Sequence, residues 1–255
     1  MRRKTISKQM RQRIRERLPR PVAAVIQPLL SGMLGIGKID QIYDAASDME
    51  LDENFAAKIL KAMRIDLQLG EEHLARIPKE GPLVVVANHP FGGIEGVALL
   101  ALLKLVRPDV KLMANYVLGM IPALRNDFIF VDPFGGKNAT QNNLSGMRDS
   151  LRWLKDGHCL GVFPAGEVSS FQRGRRAVAD GEWADTIGRI VQKAGCDVQC
   201  VYFDGRNSRL FQMMGMVHPR FRTLMLPRET ARKKNHPLVA KIGHVVPATK
   251  SKTFD

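Results

Sequence analysis

Residues 83–87 read LVVVA, an unbroken apolar run rich in β-branched side chains. A run of this kind suits a strand covered on both faces, as the central strands of parallel sheets are. After Gly81 the theme recurs. VKLMA (110–114), FIFVD (128–132), CLGVF (159–163), VQCVYF (198–203) and KIGHVV (241–246) read as further strands. Between them lie segments with helical patterning. EGVALLALLKLV (95–106) is ended by Pro108, and QNNLSGMRDSLRWLKDG (141–157) carries Gly157 at its C-terminus. WADTIGRIVQKAG (183–195) and SRLFQMMGMV (208–217) complete the series. This alternation predicts an α/β fold: a single domain with a mostly parallel central sheet flanked by helices. Ahead of it, NFAAKILKAMRIDLQL (54–69) reads as a helix. The expected division is a helical region over 1–69 and an α/β domain over 70–255.

The first twenty residues are dominated by Arg and Lys, with Glu16 the only acid. Ile6, Met10, Ile14 and Leu18 recur at i, i+4 and share one face, so a basic amphipathic helix is expected. The formal net charge of +14 favours anionic partners: a membrane surface, an acidic carrier protein or nucleic acid. With aromatics at 6% and no nucleic-acid motif, nucleic acid is not the expected partner. The most apolar stretch, 22–37, is short and interrupted by Pro28, Gly32 and Gly35, so it does not read as a bilayer span. A peripheral position on an anionic membrane is expected, at the cytoplasmic face of a bacterial inner membrane. Cys159, Cys196 and Cys200 form no disulfide framework and no metal-ligand set, and read as buried free thiols.

In open α/β sheets, ligands bind beyond the carboxyl ends of the strands. Two stretches fall there: NHPFGGIEG (88–96) and FPAGEVSS (163–170), each a strand end followed by Pro, Gly and an acid. A neutral imidazole can take a proton from a hydroxyl near pH 7, and a carboxylate on its far side fixes the tautomer. His89 and Glu95 are the candidates for that pair. Gly92 and Gly93 allow a tight loop between them, and Asn88 can hold it by hydrogen bonds. The same residues also fit a strand-end histidine bonded to backbone, with Glu95 favouring a helix N-terminus. Phe163, Pro164, Gly166, Glu167 and Ser169 form the second half of the candidate site. Asn207, Ser208 and Phe211 are placed at the same sheet edge as pocket wall. His218, His236 and His244 read as structural or surface residues. The Met-rich FQMMGM (211–216) reads as core, with an acyl channel as the alternative.

The two motifs resemble the first and third motifs of the glycerolipid acyltransferases typified by bacterial lysophosphatidate acyltransferase. The spacing of Glu95 and the FPAGE run are similar to a hemolysin-like, ornithine-lipid branch of lysophospholipid acyltransferases. VYFDGRNSRLF (201–211) and HPRFRTLMLPRE (218–229) also look like that branch, so the resemblance spans roughly residues 70–246. It implies that His89 deprotonates a lysolipid hydroxyl and that Glu95 orients His89. The alkoxide then attacks the thioester of acyl-CoA or acyl carrier protein. No metal and no bound cofactor are implied. Pro133 and Val168 stand where that family carries arginines for the acceptor's phosphate, and Lys137 is the next cation. Arg173, Arg175 and Arg176 are alternative phosphate contacts, or a solvated basic surface. A lyso-ornithine-type acceptor, its cationic head paired with Glu167, fits the missing arginines. A thioesterase or lipid hydrolase using the same His/Glu pair on water is the alternative activity.

Overall fold

Seven strands make the main sheet of the computed structural model, which describes residues 36–50, 54–115, 118–131 and 139–248. They are β1 (Leu67–Gln68), β2 (Leu83–Ala87), β3 (Val110–Asn115), β4 (Phe128–Val131), β5 (Cys159–Val162), β8 (Asp197–Phe203) and β9 (Leu238–Val246). Their order is β1-β9-β8-β2-β5-β3-β4. Every pairing is parallel except β8 with β9. The expected mostly parallel sheet is borne out. A separate hairpin, β6 (Ser170–Gln172) with β7 (Ala177–Ala179), has no counterpart in the sequence-based expectation.

The chain clusters into two units. Among the described residues, those within 67–206 and 238–248 form one, and those within 36–66 with 207–237 form the other. The first holds the sheet with helices α3 (Ile94–Val106), α4 (Ala139–Lys155) and α5 (Asp185–Ala194). The second holds α1 (Ile36–Ser47), α2 (Phe55–Ala62), α6 (Arg209–Val217) and α7 (Pro219–Arg232). Set beside the expected 1–69 and 70–255, the structure groups 207–237 with the N-terminal helices. The basic helix expected over the first twenty residues and Lys137 lie outside the described residues.

β2 occupies the centre of the sheet and all five of its residues are buried. Burial of each of its Leu and Val side chains contributes about 1.5–3 kcal/mol relative to exposure. Its register against β5 pairs Val86 with Val162, and against β8 pairs Ala87 with Val201. The strands run parallel, so their C-terminal ends lie side by side and bring the 88–96 and 163–170 loops together. At the opposite end Arg107 is fully buried and donates to the carbonyls of Pro78, Gly81 and Gly157 and to the Asp109 carboxylate. That one guanidinium ties three connections beneath the sheet. Its hydrogen bond to Asp109 raises its own pKa and lowers that of Asp109.

The helix expected over 54–69 is shorter. α2 ends at Ala62. The Ile65 N–H donates to the Leu60 carbonyl and the Arg64 N–H to that of Lys61, the pattern of a Schellman stop. Arg64 adopts φ 52°, where glycine is usual, so no residue type announces the end. Among the described residues no helix is long and apolar enough to cross a membrane.

Candidate active site

β2 delivers His89 two residues past its end, and the chain then folds back on Glu95 in the first turn of α3. Glu95 is fully buried. Its Oε1 accepts the backbone N–H groups of Phe91 (2.8 Å) and Gly92 (2.7 Å), and its Oε2 accepts that of Gly93 (3.0 Å). The loop is therefore wrapped around the carboxylate. Gly92 sits at φ 87°, in the left-handed region, which explains glycine there.

The same Oε1 lies 3.0 Å from Nδ1 of His89. Nδ1 of the imidazole therefore faces the carboxylate at close range. Burial works against ionising Glu95, but the charge and hydrogen bonding of His89 and the N–H groups of Gly92 and Gly93 outweigh it. Its pKa is held below the ordinary value of 4.5. With Nδ1 turned to the carboxylate, Nε2 is the nitrogen that can take a proton from a bound hydroxyl. The Phe163 ring stacks on the imidazole, centroids 4.4 Å apart and 30° between planes, and fixes its remaining freedom.

The two loops are also joined through their backbones. Ser169 N–H donates to the His89 carbonyl at 2.8 Å. Asp180, just past β7, accepts the His89 N–H at 3.1 Å through Oδ1. The Ser169 hydroxyl donates to the same oxygen, and Trp183 Nε1 donates to Oδ2 at 3.2 Å. Asp180 escaped sequence reasoning. Its only signal was an acid downstream of the second motif, and no fixed spacing marks it.

His89 opens onto a cavity of about 330 Å³. Gly92, Gly93, Phe163, Pro164 and Gly166 line it, as do Leu112, Met113, Leu118, Ile121 and Leu124. Its wall is therefore mainly apolar, with the imidazole at one side. The structure gathers these expected residues and reassigns others. Asn88 extends the β8 ladder, donating to the Phe203 carbonyl at 2.9 Å and accepting the Phe203 N–H at 2.7 Å, and so holds the loop. The Ser169 hydroxyl is spent on Asp180. Glu167 is exposed and is not part of the cavity lining. Arg173, Arg175 and Arg176 occupy the exposed turn between β6 and β7. Asn207 is buried in the other unit, where Ser208 caps α6 through the Phe211 N–H. Among the described residues no cluster of His, Cys, Asp and Glu is arranged to hold a metal ion. Cys159 and Cys196 are buried, whereas Cys200, expected to be buried, is exposed because it lies on the outward face of β8.

No family model matches the chain. It is 29% identical over 148 residues to a lyso-glycine lipid O-acyltransferase of Phocaeicola vulgatus, covering 58% of this chain and 50% of that one. It is 30% identical over 156 residues to a lyso-glycine lipid O-acyltransferase of Bacteroides thetaiotaomicron, covering 60% of this chain and 54% of that one. The chain thus spans about half the length of the curated relatives it matches. Among solved structures it is similar to PlsC, a 1-acyl-sn-glycerophosphate acyltransferase from Thermotoga maritima. That match has a TM-score of 0.47 and 18% identity, over 89% of this chain and 87% of that one. The resemblance carried by the two motifs is borne out in sequence: this chain is similar to O-acyltransferases of lysolipids.

Proposed function

We propose that this chain transfers a fatty acyl group from an acyl thioester, acyl carrier protein or acyl-CoA, to the hydroxyl of a lysolipid. The observation that carries the proposal is the His89–Glu95 pair at the mouth of an apolar cavity. His89 Nε2 takes the proton of the acceptor hydroxyl, and Glu95 stabilises the imidazolium that results. The hydroxyl oxygen bonds to the thioester carbonyl carbon. The tetrahedral oxyanion then collapses, the carbon–sulfur bond breaks, and the thiolate leaves with the proton held by His89. No acyl-enzyme forms. The apolar wall accommodates the acyl chain.

The relatives are named for a lyso-glycine lipid, so an amino acid is part of the acceptor their names describe. An acceptor of that class agrees with Val168, a buried aliphatic residue, standing where a phosphate-binding arginine was expected. The test is lipid analysis of cells fed labelled fatty acid, comparing wild type with His89→Ala. Diacylated product should form only with wild type. Release of free fatty acid without acylated lipid would replace the transferase reading with a hydrolase.

A further inference from the structure

Eleven large apolar side chains are exposed among the described residues, and six of them fall within fifteen residues of α6 and α7. They are Leu210, Met213, Met216, Val217, Phe221 and Leu224. This corrects the expectation that FQMMGM is core: Phe211 and Gln212 are buried, but Met213 and Met216 face out. The i, i+3, i+7 spacing of Leu210, Met213 and Val217 makes one stripe along α6. Only His218 separates α6 from α7, and α7 exposes Phe221 and Leu224, an i, i+3 pair.

The charge around this stripe is one-sided. From Arg206 to Lys234 the sequence holds eight arginines and lysines and one acid, Glu229. Glu229 is buried and committed to the backbone N–H and hydroxyl of Ser208. It therefore does little to screen the exposed cations Arg209, Arg232 and Lys234. An apolar stripe edged with cations matches the interface of an anionic bilayer, where apolar side chains enter the acyl region and cations meet phosphates.

We propose that the α6–α7 corner is a membrane-docking surface for anionic lipid, additional to the basic N-terminal segment. The proposal is independent of the acyl-transfer reading, because binding is measured without turnover.

The test uses the full chain and vesicles of phosphatidylglycerol with brominated acyl chains. Val217→Trp should gain tryptophan emission that is quenched and blue-shifted on vesicle addition, measured against the wild-type background. Leu105→Trp, an equally exposed position on α3, should respond much less. Met213→Glu combined with Phe221→Glu should lower the vesicle partition coefficient at least about tenfold while leaving the melting temperature within a few degrees. No quenching at Val217→Trp, or flotation of the double variant equal to wild type, would overturn the proposal. A Val217→Trp signal that responds to acyl carrier protein and not to vesicles would overturn it in favour of a protein partner.

Discussion

The backbone N–H of Ser169 is bonded to the carbonyl of His89 at 2.8 Å, and Asp180 holds the N–H of His89 and the hydroxyl of Ser169 together. Two loops on neighbouring strands are thereby clasped at the residue that carries the imidazole. Placement of a base to within an ångström is worth orders of magnitude in rate.

Under the proposed mechanism Asp180 is a positioning residue. Asp180→Ala should lower kcat by about 10–100-fold with KM changed less than about threefold. Asp180→Glu should recover little, since a longer side chain cannot hold both donors. Steady-state kinetics check this. A parallel rise in KM with kcat preserved would show that the clasp shapes binding instead.

His89→Ala should reduce acyl transfer by at least about 10²–10⁴-fold, the range general-base catalysis supplies. The side chain is partly exposed, so the thermal midpoint should move little. Transfer at a wild-type rate would remove His89 from the chemistry.

Glu95 couples folding to pH. Its pKa in the fold lies below the ordinary 4.5, so the folded state binds its proton less readily than the unfolded chain does. The resulting stability is fully present above about pH 4.5 and is lost as pH falls through the lower folded value. Glu95→Gln keeps the shape and removes the charge. It should melt earlier than wild type at pH 7, and the gap should narrow toward pH 3. Melting curves across that range check the sign; a gap that widens in acid contradicts it.

Gly92→Ala places a Cβ at φ 87° in the loop that wraps Glu95. The strain should cost about 1–2 kcal/mol. Denaturant unfolding measures it, and a neutral substitution would mean that the loop relaxes freely.

Leu112→Trp fills the cavity beside the imidazole. Activity on long acyl donors should fall more than on short ones. A uniform loss across a donor series would mean that this cavity does not hold the chain.

The parts of the fold legible in the sequence are those whose signal is local and repeated. LVVVA is buried on both faces because it is central, and Gly195 at φ 61° closes α5 as glycine does. His89 and Glu95 stood out because one short loop carries both. What stayed hidden depends on contacts between distant residues. Arg64 ends a helix through hydrogen bonds that any residue can make. Asn88 was read as a loop-holding residue, but its partner Phe203, 115 positions away, could not be read from the sequence. Asp180 acts on a residue 91 positions earlier, and nothing in its own neighbourhood marks it.

The three backbone donors gathered by Glu95 change what its presence can tell in other sequences. A copy of this protein that has lost its chemistry still has to close the loop after β2, and the carboxylate is what closes it. The acid should therefore survive in inert descendants long after the imidazole has drifted. Its retention is a record of inherited architecture, while under the proposed mechanism the residue at position 89 is the one that reports whether a paralogue still turns over.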